Sequence, residues 1–93
     1  MPSVVATIKV KPELLDEAKT FLTGLAEKTL ANEAGTLVYT VHQKKGEPST
    51  FVFYEKYQDE AAFAVHGENL KAVGKDFAKI LAGAPDIVML DEV

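Results

Sequence analysis

Phe51-Val52-Phe53-Tyr54-Glu55-Lys56-Tyr57-Gln58-Asp59-Glu60-Ala61-Ala62-Phe63 is the stretch on which the fold turns. Its first seven residues form an apolar, aromatic-rich run of strand length. Gln58-Asp59-Glu60 then interrupts it with polar residues, and the apolar positions change from alternation to helical spacing. Phe63, His66, Leu70, Val73 and Phe77 follow one another at steps of 3, 4, 3 and 4, which places all five on one helix face. A strand that ends in a carboxylate and an aromatic, followed by a helix carrying an imidazole on its inner face, builds a small, mostly apolar cleft with a few fixed polar groups. Ligand sites commonly have that form.

Upstream, Thr36 to Gln43 reads as a strand with Leu37, Tyr39 and Val41 on one face and Val38, Thr40 and His42 on the other. The polar Lys44-Lys45-Gly46-Glu47-Pro48-Ser49 joins it to the Phe51 strand as a hairpin. Before this hairpin, Lys11-Pro12-Glu13 starts a helix, with proline at a position where its missing N–H costs nothing. Leu14, Leu15, Ala18, Phe21, Leu22, Leu25, Ala26 and Leu30 give that helix one apolar stripe. Asn32-Glu33-Ala34-Gly35 ends it, with Gly35 expected in the left-handed conformation. Ser3 to Val10 is a further strand. Downstream, Asp59 is placed to cap the second helix. That helix is expected to break near Gly67, with Glu68 to Ala82 as a second segment, and Gly83-Ala84-Pro85 stops it. Asp86 to Val93 is the last strand. The order β-α-β-β-α-β predicts an α+β, ferredoxin-like fold with a four-stranded antiparallel sheet, and residues 1–93 form one domain.

Composition narrows the function. All ten basic residues are lysines and the net charge is −4, which argues against nucleic acid and against anionic membrane surfaces as partners. No stretch approaches the roughly 20 apolar residues of a bilayer span. Met1-Pro2-Ser3 runs straight into strand-like sequence without a basic segment and apolar core, so a cytoplasmic location is the expectation. Without cysteine, disulfides, thiolate nucleophiles and cysteine-bound metals are excluded. Two histidines on separate stretches, with no H-x-x-x-H spacing, give no metal site. No glycine-rich phosphate loop or G-x-S-x-G occurs.

The sheet residues also predict a second copy. Val4 and Val5, Leu37 and Val38, Phe51 to Tyr54, and Ile87 to Leu90 put apolar groups on both strand faces. Two helices cover one face only, and a lone chain would expose an apolar patch larger than soluble monomers usually carry. A homodimer packed sheet against sheet covers it.

Glu33-Ala34-Gly35-Thr36-Leu37-Val38-Tyr39, the stretch from Phe51 to Phe63, His66 and Phe77 together resemble the antibiotic biosynthesis monooxygenase (ABM) family across nearly the whole chain. The resemblance implies a dimeric α/β barrel with a pocket between sheet and helices in each subunit. It implies cofactor-independent oxidation of a quinol-like or aromatic small molecule by O2, with no cofactor. Isomerases or lyases on the same dimeric scaffold, and non-catalytic small-molecule-binding or stress-response dimers, are the alternatives. The chain departs from the haem-degrading members, since it has no tryptophan and no asparagine in its first strand.

On this resemblance His66 is the candidate base, because the ordinary titration range of histidine suits removal of a phenolic proton. Glu55 is its candidate support. Glu55 also has a purely structural reading, pairing with a lysine such as Lys9 or binding a buried backbone group. Tyr39, Tyr54, Tyr57, Phe63, Asn69 and Phe77 are the candidate substrate-binding residues, the tyrosines lining either the pocket or the dimer barrel.

Overall fold

A computed structural model describes all of residues 1–93. Strands β1 (Pro2–Lys9), β2 (Thr36–Gln43), β3 (Thr50–Tyr57) and β4 (Asp86–Asp91) form one antiparallel sheet in the order β2-β3-β1-β4. Helix α1 (Leu15–Asn32) connects β1 to β2 after a 3₁₀ turn at Pro12–Leu14. Helices α2 (Glu60–Leu70) and α3 (Gly74–Ile80), joined by a 3₁₀ turn at Lys71–Val73, connect β3 to β4. This is the expected α+β ferredoxin-like arrangement.

Alternation sorts the strand residues. Val4, Ala6 and Ile8 of β1 and Phe51, Phe53, Glu55 and Tyr57 of β3 face the helices and are buried. Ala18, Leu22, Leu25 and Ala26 of α1 close over them with Ile80. Leu30 is left 47% exposed and Thr29 is buried in its stead, so the stripe of α1 ends earlier than the leucine pattern suggests. Asp59 caps α2, its Oδ1 accepting the Ala62 N–H at 2.8 Å.

Several local expectations are corrected. A bulge lies between Thr36 and Val38. The extra residue, Leu37, is 45% exposed and does not share a face with Tyr39, because one inserted residue reverses the alternation. Helix α2 runs through Gly67, whose Cα faces open space, and the break falls at Lys71–Val73 instead. A single exposed glycine costs a helix only about 1 kcal/mol. Gly35 has no positive φ, and Gly46 in the hairpin turn does, at +82°. What Gly35 supplies is closeness: a Cβ there would lie 2.5 Å from the Cβ of Ala62. The turn after α1 is thereby pressed onto the start of α2, and the Gln58 N–H donates to the Gly35 carbonyl at 2.8 Å.

The sheet's outer face is less apolar than the composition of the strands suggests, since both phenylalanines of β3 point to the helices. One row across it reads Thr40, Tyr54, Val5 and Val88, and the next Val38, Lys56, Ser3 and Leu90. Tyr54, Val88 and Leu90 are exposed. On the helix side of β4, Ile87 and Met89 are each 51% exposed, so the helices leave that strand uncovered.

Candidate active site

His66 is buried to 2% exposure, and the elements that surround it explain why. The cap at Asp59 and the close contact at Gly35 fix the first turn of α2. The apolar steps along α2 then turn position 66 toward the sheet. There the imidazole meets the rings of Tyr39 from β2, at a centroid distance of 4.8 Å, and Tyr57 from β3, at 5.5 Å.

The carboxylate bonded to His66 is Glu33, from the turn after α1. Its Oε1 lies 2.9 Å from His66 Nδ1 and accepts the Thr36 hydroxyl at 2.9 Å, while Oε2 accepts from Asn69 Nδ2 at 3.0 Å. Burial pushes the Glu33 carboxyl up, but the hydrogen bonds from Asn69 and Thr36, with the attraction and hydrogen bond of His66, outweigh it and hold the group below its ordinary range. Nε2 of His66 is buried and has no hydrogen-bond partner.

Glu55 is also buried on the helix side of the sheet, but it binds a different group. Its Oε1 accepts the Tyr57 hydroxyl at 2.6 Å. Burial raises the Glu55 carboxyl above its ordinary range against the opposing influence of Tyr57 and His66. Burial and the neighbouring Glu55 likewise push the Tyr57 hydroxyl well up, and burial does the same at Tyr39. Two carboxyls near one imidazole are thus shifted in opposite directions, a pattern found where groups divide acid and base roles.

The structure brings His66, Tyr39, Tyr57, Phe63 and Asn69 together, Phe63 packing on Tyr57 at 5.1 Å. It separates Tyr54, which lies on the outer face of the sheet, and Phe77, which packs edge-to-face on Phe21 at 5.1 Å. Glu33 and Thr36 join the site without a signal in the sequence. An acid at a helix end reads as a solvated turn residue, and only the tight packing at Gly35 two positions later marks the turn as buried. A cleft of about 410 Å³ between α1 and the end of α2 is lined by Leu25, Lys28, Asn32, Leu70 and Val73, among others, and reaches Glu33 and Asn69. No group of three or more His, Cys, Asp or Glu side chains is placed to hold a metal ion. No helix is long and apolar enough to cross a membrane.

Comparison with known proteins agrees with this architecture. The chain is 43% identical over 63 residues to the putative monooxygenase YcnE of Bacillus subtilis strain 168, an alignment covering 68% of this chain and 65% of that protein. The matched region thus spans a little under two thirds of the relative's length. A crystal structure of a putative antibiotic biosynthesis monooxygenase from Caulobacter crescentus CB15 superposes with a TM-score of 0.91 at 38% identity, covering 99% of this chain and 89% of that one. A conserved protein from Methanosarcina mazei Go1 superposes with a TM-score of 0.89 at 26% identity, covering 99% and 92%. The family model for antibiotic biosynthesis monooxygenase matches residues 1–73, and the chain belongs to that family.

Proposed function

We propose that the protein is a cofactor-independent monooxygenase that oxidises a quinol-like or aromatic small molecule with O2, with His66 as the base. The observation that carries this reading is the buried, unpartnered Nε2 of His66 beside the rings of Tyr39 and Tyr57. An aromatic ring stacks favourably in such surroundings, and a phenolic hydroxyl finds a proton acceptor there. Removing that proton makes electron transfer to O2 far easier than from the neutral phenol. One oxygen atom then enters the ring, the other leaves as water, and the substrate supplies all four electrons. The cleft between α1 and α2 reaches Glu33 and Asn69, the residues on the Nδ1 side of the imidazole. The names of the relatives support the same reading.

The working unit in this proposal is a homodimer joined through the outer sheet face. Oxygen uptake measured across a panel of quinols and polycyclic phenols tests the activity. At least one compound supports uptake, and His66→Ala lowers it by about a hundredfold or more, the usual worth of a positioned base. Turnover undiminished in His66→Ala removes the imidazole from the reaction. Proton exchange into a substrate without oxygen uptake would favour an isomerase or lyase.

A further inference from the structure

We infer that Glu33, held by Thr36 and Asn69, is a positioning residue that fixes the Nδ1–H tautomer of His66, and that the site is therefore built to receive a hydroxyl or other hydrogen-bond donor at Nε2. This rests on the reading of His66 as the group that meets the ligand. It adds which chemistry the ligand must present.

The assignment follows from donors and acceptors. Thr36 Oγ1 and Asn69 Nδ2 both donate to the Glu33 carboxylate, which as an ionised group only accepts. At 2.9 Å from Oε1, Nδ1 must then be the nitrogen that carries the proton. A second proton on Nε2 would bury an N–H without an acceptor.

No other group of the chain is hydrogen-bonded to Nε2. Tyr39 on β2 and Tyr57 on β3 meet the imidazole through their rings. The Tyr57 hydroxyl is committed to Glu55 at 2.6 Å. The Nε2 lone pair therefore remains unshared inside the protein. A carbonyl brought to it sets lone pair against lone pair, whereas a hydroxyl completes the bond.

Nitrogen NMR of histidine-labelled protein tests the tautomer without any substrate, with His42→Gln used to assign the two rings, since His42 lies exposed on the outer face bonded to the Val52 carbonyl. The expected pattern for His66 at neutral pH is a protonated, pyrrole-like Nδ1 and an unprotonated, pyridine-like Nε2. The reverse pattern, or two protonated nitrogens, overturns the inference. In Glu33→Gln the amide is a weaker acceptor and can itself donate, so the Nε2–H form gains population and turnover falls about ten- to a hundredfold. An unchanged tautomer ratio in a folded Glu33→Gln protein overturns the role of Glu33.

Phenol and its methyl ether, titrated into the natural protein, separate this from the oxygenase reading. Phenol shifts the Nε2 signal and the ether does not. Equal shifts from both overturn the donor requirement. Failure of oxygen uptake with the tautomer and the phenol preference intact defeats only the oxygenase.

Discussion

At the scale of single residues the site contains two buried carboxyls with opposite tendencies, and the sign of each can be read in stability. Glu33 is held below its ordinary value in the folded chain, so its contribution is present above about pH 4.5, the unfolded value, and is lost as pH falls through the lower folded value. Glu55 is raised. Folding is therefore unpenalised by Glu55 below about pH 4.5 and becomes penalised as pH rises through its folded value. Glu33→Gln is expected to destabilise at pH 7 and to lose that deficit as the pH falls below about 4.5 and through the lowered folded value. Glu55→Gln, whose carbonyl still accepts from Tyr57, is expected to gain stability relative to the natural protein as the pH rises above about 4.5. Urea unfolding at several pH values measures both, and two parallel, pH-independent offsets would contradict the assigned directions. Little of this division is legible in the sequence. Glu55 and Tyr57 stand two apart on one strand, so their shared face can be read directly. Glu33 gains its meaning only once α1, β2 and α2 have met.

At the scale of elements, the site depends on how the turn after α1 is seated against the first turn of α2. Gly35 and Ala62 are in contact, with no room for another methyl group, since an added Cβ would lie 2.5 Å from that of Ala62. Gly35→Ala is expected to cost about 1–3 kcal/mol, the usual range for overpacking. It should also loosen the bond between Glu33 and His66, because Glu33 rides on the same turn. Ala62→Gly in the same chain makes the missing room, at a helix cost of up to about 1 kcal/mol. Chemical unfolding of both single variants and the double variant is then expected to show a favourable coupling. Simple additivity would mean that the turn and the helix are not in register as described. The helices and strands themselves were readable from periodicity and from the Asp59 cap. The bulge at Leu37 was not, because a leucine there satisfies the alternation that the bulge breaks. Gly67 looks like a helix stop in sequence, yet on an exposed surface it costs little, and the helix ends at Lys71–Val73 instead.

At the scale of the whole molecule, the uncovered parts of the sheet carry the argument for a second copy. Tyr54 and Val5 stand side by side in the middle of the outer face, flanked by Val88, while Val38, Val52 and Leu90 extend the patch above and below. Lys56 at its rim is paired with Glu92, which turns the lysine head aside and leaves its stem as further apolar cover. Phe51 and Phe53 of β3 both lie inside, so valines and one tyrosine are what the outer face offers a second copy. In the proposed dimer this face packs against its own copy through a two-fold axis, with each Tyr54 near the centre of the contact. Light scattering at micromolar concentration is expected to give twice the 10.1 kDa mass of the chain. Tyr54→Lys places an uncompensated charge in the centre of that contact and is expected to shift the mass toward 10.1 kDa, while Glu27→Gln on the exposed side of α1 leaves it unchanged. A natural protein that runs at the mass of one chain would leave the outer face to some other partner and remove the barrel from the proposed enzyme. A Tyr54→Lys protein that stays dimeric would move the interface to the uncovered side of β4, where Ile87 and Met89 are exposed.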